Sequence, residues 1–226
     1  MSIGTKILNK IVSLAQATGG QVEGNKDVTD EMKNLARTTA EEGVVMLKND
    51  GALPLSENDV VAVFGRVQND WFYVGYGSGG DVKPPYKVNL IEGLENEGVK
   101  IDETLKKIYA DWSVKNVPYE GFWGHWPFHF DEMPLSDKVV GEAAKRANKA
   151  IVVIGRAAGE DREQKLEKGS FYLTDEEKKM LSVVTKNFKS TILIIDNGNI
   201  MDLSFIDAYG SALSAALYVW NGGMES

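Results

Sequence analysis

The sequence predicts a three-layer α/β sandwich: a mostly parallel sheet with helices on both faces. Two patterns lead there. Short apolar runs rich in β-branched residues, at 60–64, 151–154 and 191–195, have the length of strands buried on both faces. Between them lie segments of helical periodicity, so strand and helix alternate at βαβ spacing. No internal repeat interrupts this alternation.

From the start, Ile3, Ile7, Ile11 and Leu14 share one face of an expected helix over 3–16, followed by a Gly-rich linker. Residues 1–27 are thus expected to form a leading helix and linker, and 28–226 the α/β domain. The next helix, about 29–42, carries Met32, Leu35, Ala36 and Ala40 as its apolar stripe and stops at Gly43. Residues 44–47 read as a short buried strand, and Lys48-Asn49-Asp50-Gly51 as a turn. The strand at 60–64 ends in Gly65-Arg66. A helix over 90–96, a short strand over 99–101 and a helix over 103–114 follow, the last turning Leu105, Ile108 and Trp112 inward. A helix over 137–148 leads into the strand at 151–154. Thr174, with Glu177 three residues on, makes a capping box that opens a helix over 174–188. Beyond the strand at 191–195, residues 201–209 read as a short helix and 212–220 as the last strand.

Composition narrows the function. The 226 residues carry a net charge of −8, which argues against nucleic acid or an anionic membrane as partner. There is no cysteine, so disulfides and thiolate metal sites are excluded. Hydrophobic residues make up 43%, enough for a full core. The first fifteen residues lack an uninterrupted apolar stretch before a cleavage site, so neither a signal peptide nor a membrane span is expected, and a cytoplasmic location is.

Three stretches are candidates for chemistry. After the strand at 151–154 come Arg156, a turn of small residues, and the charged loop Glu160-Asp161-Arg162-Glu163. Ligands of open α/β sheets bind at that end of the strands, although a solvated turn explains the same composition. Residues 75–81, Gly-Tyr-Gly-Ser-Gly-Gly-Asp, permit close backbone approach, but no Gly-Lys-Ser/Thr follows. A structural or substrate-shaping turn fits better there than a nucleotide loop. Residues 117–134 form an aromatic insertion containing Trp123 and Trp126. His125 and His129 have i,i+4 spacing, but Pro127 lies between them, and no metal or cofactor is expected. Aromatic rings of this kind either stack on sugars or bury one another. Trp123, Trp126 and Arg156 are the candidate substrate contacts.

Taken together these pieces resemble the α/β-sandwich domain of glycoside hydrolase family 3, which contains many β-glucosidases. The run from Gly43 through Val44-Val45-Met46-Leu47-Lys48-Asn49-Asp50-Gly51 to Leu55 is similar to that domain's opening signature. Gly75 to Asp81 with Pro84-Pro85-Tyr86 and Leu90 to Leu94, then Gly159-Glu160 with Gly169-Ser170-Phe171-Tyr172-Leu173-Thr174, resemble its glycine-rich and catalytic-loop segments. Trp220-Asn221-Gly222-Gly223-Met224-Glu225 is similar to its late signature. The resemblance implies a retaining β-glycosidase acting on terminal β-glucosyl residues, without a cofactor. It implies a nucleophilic aspartate on a (β/α)8 barrel and a general acid/base glutamate on the sandwich loop. Spacing to Gly169 puts Glu160 at that glutamate's position. The family loop often reads Gly-Glu-Gly-x-Asp-Arg, whereas residues 159–164 read Gly-Glu-Asp-Arg-Glu-Gln, so Glu163 and Asp161 stand as substitutes. The resemblance also implies that the sandwich precedes its barrel, as in permuted members, with the barrel outside these 226 residues. A Rossmann-like or flavodoxin-like ligand-binding module, or a purely structural sandwich, remains the alternative.

Overall fold

The structure, a computed structural model, describes residues 27–77, 84–119, 121, 125–160 and 163–225. The expected helix over 3–16, Trp123, Asp161 and the second half of the glycine-rich segment lie outside them.

Helix α1 (Asp30–Gly43) leads into β1 (Val45–Asn49), then β2 (Val60–Phe64) and a 3-10 turn at Arg66–Gln68. Next come α2 (Leu90–Asn96), β3 (Lys100–Ile101), α3 (Glu103–Lys115), α4 (Asp137–Ala143) and β4 (Lys149–Arg156). The chain closes with α5 (Asp175–Asn187), β5 (Thr191–Asn197), α6 (Ser204–Tyr209) and β6 (Ala215–Val219).

The strands form one sheet in the order β1-β6-β5-β4-β2-β3. All neighbours are parallel except β1, which runs antiparallel to β6. Strand alternation sorts the core cleanly into two layers. Ala62, Phe64, Val152, Ile154, Leu193 and Ile195 face one side, against Leu105 and Tyr109 of α3, Val140 of α4 and Met180, Leu181 and Val184 of α5. Val61, Val63, Ile151, Val153, Ile192 and Ile194 face the other, against Ile91 of α2 and Val67, Trp71 and Phe72 of the segment after β2. Each of the Val, Leu, Ile, Phe and Met side chains taken fully out of water contributes about 1.5–3 kcal/mol.

The helices begin where local chemistry tells them to. Thr174 accepts the Glu177 N–H and the Glu177 carboxylate accepts the Thr174 N–H, which starts α5. Asn89 and Glu92 make the same box for α2. Asp102 and Ser136 cap α3 and α4 through single side chains.

Residues 44–47 do not form the expected buried strand. Val45, Met46 and Leu47 are 44%, 56% and 41% exposed, because β1 is the sheet's edge and has β6 alone as neighbour among the described residues. Helix α1 beside it has no buried residue, and it borders a cavity of about 600 Å³ shared with α2, Ile194 and Val219.

The strand order places the functional rim. From β2 the chain moves outward to β3, then returns to the far side of β2 and continues outward through β4, β5 and β6. The order therefore reverses between β2 and β4. In open parallel sheets the crevice at that point, at the carboxyl ends of the strands, is where ligands are held.

Candidate active site

Two loops leave the sheet at this reversal, residues 65–77 after β2 and residues 157–174 after β4. They are stitched backbone to backbone. The Tyr76 N–H donates to the Ala158 carbonyl at 2.8 Å, and the Glu160 N–H donates to the Tyr76 carbonyl at 2.9 Å. Tyr76 and Gly159 thus form a parallel bridge above the ends of β2 and β4. The next residue, Gly77, lies under Glu160 with φ +129°. A Cβ there would stand 2.6 Å from Glu160 Cβ and 3.1 Å from its Oε2, and L side chains rarely adopt that φ. The glycine-rich segment therefore lets backbone approach the acidic loop. Glu160 is exposed at the rim, its main chain fixed from below. Glu163, on the same loop, is exposed as well.

The aromatic insertion braces the same loops. Trp126 stacks on Tyr76 with ring centroids 5.4 Å apart and planes 4° from parallel. Phe130 stacks on Phe72 at 4.7 Å. The Phe128 carbonyl accepts the Ala157 N–H at 2.7 Å, and the His129 ring packs directly on Gly169. His129 is thus used in packing, and the described residues contain no group of three or more metal-ligating side chains. At its base the insertion is tied to Arg66, which is buried. Its guanidinium donates to Asp70 at 2.8 Å, to the Asp131 carbonyl at 2.8 Å and to the Asn116 carbonyl, and lies over the Trp112 ring. Glu132 accepts the N–H groups of Arg66 and Met133, each at 2.7 Å. Burial pushes its carboxyl up to about 7 despite those two bonds.

Arg156 does not reach the rim. The sequence made it a candidate substrate contact, but its side chain is fully buried and all five donors are engaged within the fold. Nε meets the Ser170 carbonyl at 3.0 Å. Nη1 meets the Gly155 carbonyl at 2.8 Å and Glu177 at 2.6 Å. Nη2 meets the Tyr172 carbonyl at 3.3 Å and Glu177 at 2.7 Å. The Glu177 carboxyl is buried too, which works against its ionised form, yet the Arg156 charge and bonds hold it below the usual range. Its partners explain the misreading: Glu177 is twenty-one residues away and the others are backbone carbonyls. Arg156 is a clamp on the returning half of the acidic loop.

One rim residue, Asp196, was not singled out from the sequence, and Asn221 was noted only as part of the late signature. Asp196, fully buried at the end of β5, accepts the Phe72 N–H at 2.8 Å and the Asn221 amide at 3.1 Å. Asn221 belongs to the Trp-Asn-Gly-Gly segment after β6 and also donates to the Phe72 carbonyl at 2.6 Å. Burial drives the Asp196 carboxyl well above its usual range. A single aspartate ending a strand resembles any loop carboxylate until the fold supplies its partners.

Of the expected site residues, the fold brings Glu160, Trp126 and the glycine-rich segment together and turns Arg156 away. Comparison with known proteins identifies the family. Residues 44–226 match the glycosyl hydrolase family 3 C-terminal domain. A β-glucosidase of Ruminococcus albus is 41% identical over 201 residues, covering 88% of this chain and 21% of that protein. β-Glucosidase A of Butyrivibrio fibrisolvens is 33% identical, covering 90% of this chain and 27% of its own length. Among solved structures, a β-glucosidase from Paenibacillus barengoltzii superposes with a TM-score of 0.84 at 37% identity, over 88% of this chain and 22% of that one. The chain thus spans between 21% and 27% of the length of these relatives. It belongs to glycoside hydrolase family 3, as that family's α/β-sandwich domain.

Proposed function

We propose that this domain supplies the general acid/base of a retaining β-glucosidase, with Glu160 as the acting carboxyl. The observation that carries the reading is the placement of Glu160: exposed at the strand-order reversal, on a backbone pinned by Tyr76 and seated over Gly77. A proton donor that serves a second domain has to stand clear of its own fold and still be fixed in position. The relatives named above are called β-glucosidases, which supports glucosides as the substrate class.

The domain works with a (β/α)8 barrel of the same polypeptide, following the sandwich, whose aspartate is the nucleophile. Retaining catalysis needs the two carboxyl groups about 5–5.5 Å apart. In the first step protonated Glu160 gives its proton to the glycosidic oxygen as the C–O bond breaks and the aspartate bonds to the anomeric carbon. In the second, the Glu160 carboxylate takes a proton from water as that water displaces the aspartate. The barrel desolvates Glu160 and brings a second negative charge near it, and both effects favour its protonated form. The Trp126–Tyr76 stack beside Glu160 offers an aromatic face for a sugar ring.

Because this reading puts the nucleophile on the barrel, the 226-residue chain by itself is expected not to hydrolyse an aryl β-glucoside. In the full-length enzyme, Glu160→Ala is expected to slow departure of the leaving group, with azide restoring turnover as the β-glucosyl azide. Rescue seen for Glu163→Ala and not for Glu160→Ala would move the role to Glu163.

A further inference from the structure

We propose that Asp196 is a positioning residue for Glu160, acting through the Phe72–Tyr76 segment; the inference rests on the acid/base reading of Glu160. Asp196 is paired in register with Gly155 of β4 and Val219 of β6, so it sits between the two strands whose following segments meet at the rim. One carboxylate oxygen takes the Phe72 N–H and the other takes the Asn221 amide, which itself holds the Phe72 carbonyl. The peptide groups on both sides of Phe72 are thereby fixed. A second tie, from the Gly223 N–H to the Tyr73 carbonyl at 2.8 Å, holds the next residue.

Three residues beyond Tyr73 the same segment becomes the support of the acidic loop, since Tyr76 accepts the Glu160 N–H and donates to Ala158. The junction has no slack. A Cβ on Gly198, two residues past Asp196, would stand 2.9 Å from Ala158 Cβ and collide with the Asn221 side chain. A displacement of Phe72 or Asn221 is therefore passed to residues 158–160.

A fully buried carboxyl group whose two bonds come from neutral N–H groups is a costly way to fill space. An apolar side chain would fill the volume but leave the buried Phe72 N–H unpaired and take one acceptor from the Asn221 amide. The two oxygens of a carboxyl group accept from two separate segments at once. An amide has one oxygen to offer and would set its own NH2 against one of the two N–H groups.

Amide hydrogen exchange on the 226-residue chain tests the linkage without reference to catalysis. In Asp196→Asn, the Tyr76 and Glu160 amides are expected to exchange at least about tenfold faster, while Val152 and Leu193 in the sheet keep their protection. Asn221→Ala, which leaves the carboxylate in place, is expected to change the same two amides in the same direction. Unchanged exchange at Tyr76 and Glu160, or an equal increase at every amide, overturns the proposal.

Kinetics of the full-length enzyme then separate positioning from general support. In Asp196→Asn, kcat/KM for an alkyl glucoside, whose leaving group needs protonation, is expected to fall about tenfold or more beyond the fall for a dinitrophenyl glucoside. Equal losses on both substrates contradict the positioning role. If Glu160→Ala itself shows no leaving-group dependence, the acid/base reading fails instead, and the exchange result stands by itself.

Discussion

Gly77 lies under Glu160 so closely that a single added methyl group would overlap the glutamate's Cβ. The contact joins the loop after β2 to the loop after β4, and its φ of +129° suits glycine alone. Gly77→Ala is expected to displace the Glu160 carboxyl without dismantling the sheet. Stability should fall by about 1–3 kcal/mol. The kcat/KM of the full-length enzyme should fall by about a hundredfold, most strongly on substrates with poor leaving groups. Thermal unfolding and steady-state kinetics on the one variant check both.

The Arg156–Glu177 pair tests the other half of the loop. Removing one partner leaves a buried charge uncompensated, so Glu177→Ala is expected to cost about 3–5 kcal/mol. It also removes the carboxylate that caps the Thr174 N–H. For a chain of this size the melting temperature should drop by about 6–20 °C. Arg156→Lys is expected to be nearly as harmful, because an ammonium has three donors where five are used. Replacing both residues with apolar side chains should cost less than either single change.

Glu132 gives the domain an unusual pH response. Its folded carboxyl titrates at about 7 against an ordinary 4.5. Between those values the folded state holds a proton that the unfolded chain has lost, so this residue's contribution to stability declines as pH rises from 4.5 to about 7. Glu142 and Glu177, held low in the folded state, contribute with the opposite sign, and their stabilisation is lost as pH falls through their folded values. Urea unfolding at about pH 5 and about pH 7.5 is expected to show a smaller decline with rising pH in Glu132→Gln than in the parent. An identical difference in the two proteins would remove Glu132 from the account.

The sequence was most legible where local chemistry decides structure. Thr174 and Glu177 announced α5 because both halves of a capping box lie within one turn, and the β-branched run at 151–154 announced a strand buried on both faces. The short helix α2 was also bounded correctly at 90–96, where the structure shows an Asn89–Glu92 capping box. Legibility ended where a partner is distant. Residues 44–47 have the apolarity of a core strand, and nothing local shows that they sit at the sheet's edge. Arg156 resembled a ligand contact because Glu177 and the carbonyls that absorb it become neighbours only after folding. Asp196 drew no attention because its significance lies in Phe72 and Asn221, two segments remote in the chain. Glu160 was proposed through motif spacing, and residues 75–81 were read as a turn permitting close backbone approach, but that Tyr76 and Gly77 lie beneath Glu160 emerged only from the way the loops cross.

The most direct test of the central claim is the leaving-group dependence of Glu160→Ala in the full-length enzyme. The account predicts a loss of about 10²–10⁴ in kcat/KM on an alkyl β-glucoside, a far smaller loss on a dinitrophenyl β-glucoside, and recovery with azide as β-glucosyl azide. Equal losses on both substrates with no azide product would contradict it.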